Sequence, residues 1–184
     1  MTKLNIKLAC QALKQGNIIA YPTEAVWGLG CDPYSETAVD KILRVKDRSI
    51  NKGLILIGGS VDQFEPLLSR LSLEHRDKLD ASWPGHITWL VPDPDQLIPQ
   101  WIKGSYKSVA IRVSAHPVVQ KLCSTFAGPL VSTSANMAGE EGIRSRIRLE
   151  NEFADKLACI VDGELGQAAK PSEMRDLFSG KVLR

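Results

Sequence analysis

Long apolar runs are missing from the sequence, and so is an excess of charge of either sign. No stretch approaches the roughly 18 apolar residues that a membrane-spanning helix needs. The N-terminal segment MTKLNIKLAC has neither the apolar core nor the cleavage site of a secretory signal. The 23 Lys and Arg residues nearly balance the 21 Asp and Glu residues, for a net charge of +2, so net charge alone indicates no partner. We therefore expect a soluble, cytoplasmic protein that does not act at a membrane.

Cysteine and histidine are too few and too scattered to indicate a metal site. The four cysteines, Cys10, Cys31, Cys123 and Cys159, include no CxxC pair, and the three histidines form no HxxxH or HExxH pattern. Each cysteine lies among apolar neighbours, which is typical of buried free thiols. We expect no disulfide framework and no metal ion held by protein ligands.

The glycine motifs of the common nucleotide-binding folds are also absent. There is no GxxxxGKS or GxxxxGKT loop, and Gly28-Leu29-Gly30 is only a fragment of GxGxxG. No GxSxG is present, so the sequence has no nucleophile elbow of the hydrolase type. If a nucleotide binds, some other arrangement of side chains holds it.

The length and the order of the predicted elements indicate the fold class. At roughly 150 residues per domain, 184 residues correspond to one domain spanning 1–184. The predicted helices cover 3–15, 35–45, 117–126 and 149–157, with one more beginning at a Ser60/Gln63 capping box; the predicted strands cover 18–21, 54–57, 87–91, 109–113, 130–132 and 159–161, and a C-terminal hairpin joins 174–177 to 182–183. This alternation predicts an α/β fold with one mostly buried mixed sheet flanked by helices.

Basic residues form clusters although the total charge is balanced. Residues 41–53 contain five basic residues against one acidic residue, residues 100–121 contain four against none, and residues 144–148 contain three. Each cluster alone is typical of a solvated face. Three of them on one small domain are compatible with a surface that binds a polyanion.

Two polar segments are candidates for a small-ligand site. Lys46-Asp47-Arg48 follows a predicted helix, and its two cations can converge on a phosphate, although the segment alone is also typical of a solvated helix end. Ser132-Thr133-Ser134-Ala135-Asn136 follows a predicted strand. Its hydroxyls and amide offer donors and acceptors to an anion or a small polar ligand. Turn and cap chemistry is the alternative for this second segment.

A third candidate combines Tyr21-Pro22-Thr23-Glu24 with Arg112. The first segment comes directly after a buried strand, and Arg112 lies on the polar side of an alternating strand. An unpaired cation in such a strand costs free energy. Either a buried ion pair or a bound carboxylate would explain Arg112.

Taken in order, these segments resemble the motifs of one family. YPTEAVWGLG at 21–30 resembles its opening signature, KDR at 46–48 its KxR, WPGHIT at 83–88 its WPGxxT, 109–113 its arginine-bearing strand, STSAN at 132–136 its SxSAN, and 171–176 its closing element. The family is the YrdC-like threonylcarbamoyl-AMP synthases, and the chain is most similar to their short, single-domain bacterial TsaC form.

The resemblance implies a reaction in which L-threonine, bicarbonate and ATP give threonylcarbamoyl-adenylate and pyrophosphate. This is the first step toward N6-threonylcarbamoyladenosine in tRNA. The resemblance also implies a twisted sheet with a deep basic cavity, and Mg²⁺ held mainly by the phosphates of ATP. The implied partners are tRNA or duplex RNA, bound weakly, and downstream threonylcarbamoyl-transfer proteins that accept the adenylate.

The resemblance assigns roles to residues by motif. It implies catalytic roles for Lys46, Arg48, Ser134 and Asn136, and threonine binding by Thr23, Arg112 and Ser132, with Arg112 on the threonine carboxylate. It implies ATP binding by Lys46, Arg48, Lys52, Ser108, Ser134, Arg144 and Ser172. Many relatives have an asparagine and a histidine where this chain has Lys52 and Ile57, which leaves open how the pocket closes on threonine.

Two other functions remain as alternatives. An RNA-binding or ribosome-maturation module would use the basic concave surface without catalysis, with an affinity that falls as salt rises. A carbamoyl-transfer accessory domain is the other, since related domains occur in larger hydrogenase-maturation proteins. The YPTE and STSAN segments favour a small polar ligand over an RNA backbone, and the length of 184 residues makes the accessory domain less expected.

Overall fold

The computed structural model describes residues 3–184. The helices are α1 (Lys3–Lys14), α2 (Glu36–Val45), α3 (Glu65–Leu68), α4 (Leu73–Asp80), α5 (Gln100–Lys103), α6 (Pro117–Phe126) and α7 (Arg146–Phe153). The strands are β1 (Ile19–Pro22), β2 (Trp27–Gly30), β3 (Ile55–Gly58), β4 (Ile87–Pro92), β5 (Ser108–Val113), β6 (Leu130–Ser134), β7 (Cys159–Ile160) and β8 (Glu173–Asp176). Within residues 3–184, no helix has the length and apolar character needed to cross a membrane.

The eight strands form one mixed sheet in the order β7-β1-β2-β6-β3-β5-β4-β8. The pairs β1/β7, β3/β5 and β4/β8 are parallel, and the other four neighbouring pairs are antiparallel. Strand β6 lies in the middle and joins the β7-β1-β2 half to the β3-β5-β4-β8 half. The predicted α/β fold with a mixed sheet is confirmed.

Helices α1 and α6 cover only one end of a sheet face. Between β3 and β6, Ile57 pairs with Leu130 and Ile55 pairs with Ser132. Because alternate strand residues point to the same face, all four side chains lie on one side of the sheet. Ile57 and Leu130 are fully buried against α1 and α6. Ile55 and Ser132 lie beyond these helices and border a cavity.

The opposite face of the sheet carries the larger core. Leu56 and Ile111 from β3 and β5 pack there with Val39 and Ile42 of α2. Helix α2 begins where predicted, because the hydroxyl of its N-cap Ser35 accepts a hydrogen bond from the Ala38 amide.

Two predictions about local structure are wrong. The strand at 130–132 continues to Ser134, because β2 pairs with it and places Gly28 opposite Ser134. We did not predict β2 as a strand, so the partner that extends β6 was missing. The Ser60/Gln63 capping box does not form. The Ser60 hydroxyl caps no amide, the Gln63 side chain accepts from the Gly59 amide at 2.7 Å, and a 3₁₀ turn precedes α3.

Other boundaries also differ from the prediction. Helix α7 begins at Arg146 rather than at 149, because the hydroxyl of Ser145 accepts from the Arg148 amide and caps the helix there. Helices α4 and α5 were not predicted. The C-terminal hairpin is confirmed by the hydrogen bond from the Leu183 amide to the Met174 carbonyl, at 2.8 Å.

A buried ion pair holds the segment that forms the floor of the cavity. Lys103 Nζ lies 2.8 Å from Asp93 Oδ2, and the two side chains are 3% and 0% exposed. Burial alone would raise the pKa of Asp93. The hydrogen bonds from Lys103 and from the Ile98 and Leu97 amides outweigh this effect and hold its pKa below the ordinary value.

The ion pair is coupled to the neighbouring turn at 50–53. Gly104 follows α5 at φ 65, and a Cβ there would lie 2.6 Å from the Asn51 carbonyl oxygen. The Leu54 amide donates to the Ile102 carbonyl at 2.8 Å. The position of this turn therefore depends on the position of α5.

Removing Asp93 should destabilise the protein strongly. Asp93→Ala leaves the Lys103 ammonium buried without a partner, so we expect a loss of about 3–5 kcal/mol in urea unfolding. Asp40→Ala is the control, because it breaks the exposed pair of Asp40 with Arg44 on α2 and should cost about 0.5 kcal/mol or less. Similar small losses for both variants would show that the Asp93–Lys103 pair contributes little.

Candidate active site

A cavity of about 350 Å³ lies on the uncovered part of the sheet face. Eight of the residues singled out by the sequence line its wall: Thr23, Arg48, Lys52, Ser108, Arg112, Ser132, Ser134 and Ser172. They come from the β1–β2 loop, the turn after α2, strands β5 and β6, and the segment before β8. Tertiary folding therefore brings the separate motifs to a single place.

Among the described residues that line the cavity, every charged side chain is basic. The wall includes Arg48, Lys52, Lys103, Arg112 and Arg184 and no acidic side chain. Lys103 is paired with the carboxylate of Asp93, and Arg112 is paired with the carboxylate of Glu24. The other three cations have no acidic partner within residues 3–184 and remain available to an anion.

Arg48 combines burial with an unused donor. Its Nη2 donates to the Gly53 carbonyl at 2.8 Å, but its buried Nε has no hydrogen-bond partner in the described part of the chain. Burial lowers the pKa of Arg48, and the charge of Arg184 lowers it further. A bound anion would supply both the missing acceptor and the missing countercharge.

Lys46 lies behind the cavity wall rather than on it. It is 5% exposed at the C-terminal end of α2. Its Nζ donates to the Ser134 carbonyl at 2.5 Å, to the Asn136 carbonyl at 2.8 Å and to Asn136 Oδ1 at 3.1 Å. Burial, and to a lesser extent the charge of Arg48, lower the pKa of Lys46 to about 8. The segment is therefore not a solvated helix end, and Lys46 ties α2 to the end of β6.

The backbone conformation of Asp47 turns the side chains of Lys46 and Arg48 in different directions. Its φ of 46 places it in the left-handed region, which aspartate tolerates better than most residues. Lys46 then points to Ser134 and Asn136, while Arg48 points to Gly53. The expectation that both cations contact phosphate stays a prediction.

Arg112 lies in a buried polar network at the other side of the cavity. Its Nη2 is 3.1 Å from Glu24 Oε2, and its Nη1 is 3.1 Å from His86 Nδ1. The contact to Glu24 is an ion pair without hydrogen-bond geometry, since Oε2 has no hydrogen-bond partner in the described part of the chain. The Ser114 hydroxyl donates to the other carboxylate oxygen at 2.6 Å. Of the two explanations for Arg112, the structure shows the buried ion pair.

The carboxylate of Glu24 is held in its charged form. Burial alone would raise the pKa of Glu24, but Arg112 and then the Ser114 hydroxyl outweigh it and lower the pKa below the ordinary value. Beside it, the Thr23 hydroxyl donates to the Val26 carbonyl at 2.7 Å. The oxygen of Thr23 can still accept a hydrogen bond from a ligand.

Besides Lys46, two predicted site residues and Ile57 lie away from the cavity wall. Arg144 and Asn136 are not on the cavity wall. Arg144 Nη1 donates to the Ala25 and Ala168 carbonyls at 2.7 and 3.0 Å and links two loops beside the cavity. Ile57 is buried under α6, so only Lys52 of the variant pair Lys52/Ile57 reaches the cavity.

Several wall residues were missed because turns and termini contribute them. His86, Lys103, Tyr106 and Arg184 line the cavity, although neither helical nor strand periodicity marks them. The only signals were the position of His86 in the WPGHIT motif and of Lys103 in the second basic cluster.

Two arginines of the third basic cluster form ion pairs. Arg146 pairs with Glu150 and Asp162, and Arg148 pairs with Glu140 and Glu152. Neighbouring carboxylates therefore occupy two of the three arginines of the 144–148 cluster, and the binding of a polyanion by the three clusters stays a prediction.

The cysteines and His116 agree with a structural role. All four cysteines are free thiols, three buried and Cys159 half-buried. His116 accepts from the Val118 amide and caps α6, and burial lowers its pKa. Within residues 3–184, no group of three or more His, Cys, Asp and Glu residues is placed to hold a metal ion.

Comparisons with known proteins identify the family. The family model Sua5_yciO_yrdC, described as telomere recombination, matches residues 11–184. A Pseudomonas fluorescens protein named threonylcarbamoyl-AMP synthase is 48% identical over 179 residues, covering 97% of this chain and 96% of its own. A Pseudomonas aeruginosa protein of the same name is 46% identical over 184 residues, covering 100% of this chain and 98% of its own. The chain belongs to the Sua5/yciO/yrdC family.

Solved structures agree with this assignment. Sua5 from P. abyssi, in a crystal structure complexed with L-threonine, superposes with a TM-score of 0.92 at 30% identity. The match covers 100% of this chain and 54% of the Sua5 chain, so this chain spans about half of that protein.

The contacts of Lys46 predict a large effect on stability. Lys46→Met removes a buried donor from two backbone carbonyls, so we expect a loss of about 1–3 kcal/mol in urea unfolding. Lys52→Met is the control, because Lys52 is exposed at the cavity mouth and should change stability by about 0.5 kcal/mol or less. If the two variants unfold alike, Lys46 is not what attaches α2 to β6.

Proposed function

We propose that the chain is a threonylcarbamoyl-AMP synthase, which makes threonylcarbamoyl-adenylate and pyrophosphate from L-threonine, bicarbonate and ATP. The observation that carries the proposal is one cavity whose wall includes eight of the predicted site residues, with basic but no acidic side chains on its described wall. The relatives that share 46–48% identity and nearly full length with the chain bear this name. We also propose that residues 1–184 act as one domain.

In this proposal threonine occupies the side of the cavity around Arg112. The guanidinium has five N–H donors; His86 accepts from one of them, and the Glu24 carboxylate lies beside Nη2. The others have no partner among the described residues and are available to the threonine carboxylate. Thr23 and Ser132 line the same wall and offer hydroxyl groups to the polar part of threonine. The Sua5 complex with L-threonine supports a threonine site on this fold.

ATP occupies the side around Arg48. Arg48 supplies its unused Nε donor to the phosphates, and Lys52 lies on the same wall as a point charge. Ser108, Ser134 and Ser172 line the same wall; the Ser134 hydroxyl donates to Asn136 Oδ1, and its oxygen is left to accept a hydrogen bond from ATP. Lys46, Asn136 and Arg144 hold the backbone that presents these groups, and we assign their effect on ATP to this support.

Mg²⁺ would enter with ATP. The described residues offer the metal no cluster of acidic or imidazole ligands, and the wall beside Arg48 is basic. These residues do not fit a metal site built by the protein. They fit a cation carried by phosphate oxygens and water.

The chemistry requires positioning and charge stabilisation more than covalent catalysis. The threonine amine and bicarbonate give a carbamate and water. A carbamate oxygen then attacks the α-phosphorus of ATP, and the bond to pyrophosphate breaks. Charge on the phosphate oxygens is stabilised by Arg48 and Lys52 within a cavity of low dielectric. The cavity also limits the access of water to the labile carbamate and adenylate.

The adenylate must reach another protein. We propose that it passes to threonylcarbamoyl-transfer proteins in the cytoplasm, and that contact with tRNA or duplex RNA is weak. The ion pairs of Arg146 and Arg148 support a weak rather than a strong RNA contact. They also make the RNA-binding module the less favoured function.

Omitting single substrates tests the reaction. We expect pyrophosphate release and an adenylate of the mass of threonylcarbamoyl-AMP only when threonine, bicarbonate and ATP are all present with Mg²⁺, as measured by a coupled pyrophosphate assay and mass spectrometry. Release that continues without threonine would refute the assignment. The absence of release under all conditions would favour the RNA-binding module.

Arg48 should be essential for the rate. Arg48→Ala should lower adenylate formation by about 10²–10³-fold, as for the loss of one preorganised donor to developing charge. Arg48→Lys should not restore it, because an ammonium cannot replace the planar guanidinium. Arg44→Ala is the control, since Arg44 lies on α2 with a side chain 79% exposed. Equal losses for Arg44→Ala and Arg48→Ala in initial rates would mean that only the overall positive charge matters.

A further inference from the structure

His86 links Arg112 to the loop that precedes β8. Its Nδ1 lies 3.1 Å from Arg112 Nη1, and its Nε2 lies 2.7 Å from the carbonyl oxygen of Lys170. His86 also lines the cavity, as do Pro171 and Ser172 of that loop. One imidazole ring therefore bridges the arginine of the sheet and the backbone at the edge of the cavity.

These two contacts determine the protonation state of the ring. A carbonyl oxygen only accepts hydrogen bonds, so Nε2 of His86 must carry the proton that is donated to Lys170. The guanidinium of Arg112 only donates, so Nδ1 must offer its lone pair. Both contacts are satisfied only by neutral imidazole with its proton on Nε2. Protonated His86 would place an N–H against an N–H of Arg112.

The charged groups around the ring come from four elements. Arg112 on β5 and Glu24 after β1 are nearest, and a protonated His86 would lower the pKa of Glu24. His116, the N-cap of α6, interacts with the same Glu24 and Arg112. On β8, Glu173 lies opposite Ile87 and uses its carboxylate to bind Arg175. Glu24 is thus the anion for which Arg112 and a protonated His86 would compete.

We propose that His86 is a positioning residue of the threonine site, and that its neutral imidazole holds the Arg112 guanidinium in the orientation that receives the threonine carboxylate. Acidification then weakens threonine binding, because protonated His86 repels Arg112 and competes with it for Glu24. This proposal rests on the proposed function. The family motif WPGxxT leaves the position of His86 open.

Calorimetry with L-threonine in the absence of ATP measures binding directly. It therefore separates the effect of pH on threonine binding from the chemistry of carbamate formation. Between about pH 5.5 and about pH 7.5 the free amino acid stays zwitterionic, while histidine titrates in this range. We expect the Kd of the unaltered protein for threonine to rise by about tenfold when the pH falls from 7.5 to 5.5.

Two variants divide the roles of the two ring nitrogens. In His86→Asn, the amide oxygen replaces the Nδ1 acceptor but has no proton to gain, so threonine should bind with a similar Kd at both pH values. In His86→Gln, the amide reaches the Lys170 carbonyl but no longer serves Arg112, so the Kd should rise by about tenfold at both pH values. His75→Asn is the control, because His75 is half-buried on α4 and packs against Phe178 outside the cavity. It should keep the full pH dependence.

The outcomes distinguish the proposal from the function on which it rests. If threonine does not bind at pH 7.5, the proposed function fails. If it binds with the same Kd at both pH values, or if His86→Asn shows the same weakening in acid as the unaltered protein, the positioning role of His86 is overturned while the function stands. Thermal melting of each variant at both pH values shows whether it is folded, and a variant that melts normally but loses the pH dependence supports the proposal.

Discussion

The attachment of Lys46 to the end of β6 is the contact on which the arrangement of the cavity depends. Strand β6 joins the two halves of the sheet, and its residues Ser132 and Ser134 form part of the cavity wall. The Lys46 ammonium binds the Ser134 carbonyl and both oxygens of Asn136, so the C-terminal end of α2 and the polar end of β6 have one common position. Arg48 follows that position by two residues and donates to the carbonyl of Gly53, which also lines the cavity. A shift of either element would change the position of Arg48 relative to Ser132 and Ser134.

Electrostatic balance explains how a cavity with five basic residues on its wall exists in a protein of net charge +2. Asp93 and Glu24 lie next to the wall and pair with Lys103 and Arg112, which reduces the repulsion among the wall cations. Arg48, in contrast, keeps an unused donor and a pKa lowered by burial and by Arg184. The site therefore combines neutralised cations that support the structure with cations that gain from a bound anion. This division suits two ligands, one with a carboxylate and one with several phosphates.

Much of the fold follows from patterns within short segments of the sequence. The strand–helix alternation, the bounds of α2 and α6 and the C-terminal hairpin depend on caps, periodicity and turns, which neighbouring residues supply. The site residues could be proposed because their motifs are short and contiguous, and eight of them lie together on the cavity wall. Sequence patterns predicted an element less well where its length depends on a distant partner. The full length of β6, for example, depends on its pairing with β2.

The chain alone determined which residue types are available to the site, and the tertiary structure decided which of them face the ligand. Ile57 and Ile55 have the same character and lie on the same face of β3, yet α6 covers only the first of them. Lys46 and Arg48 belong to one motif, but one is buried behind the wall and the other lies on it. His86 gained a position between Arg112 and Lys170 that no local pattern marks. These differences arise because side-chain packing and strand pairing bring together residues that are far apart in the chain. No single segment contains both partners of such a contact, so a pattern within one segment does not predict it.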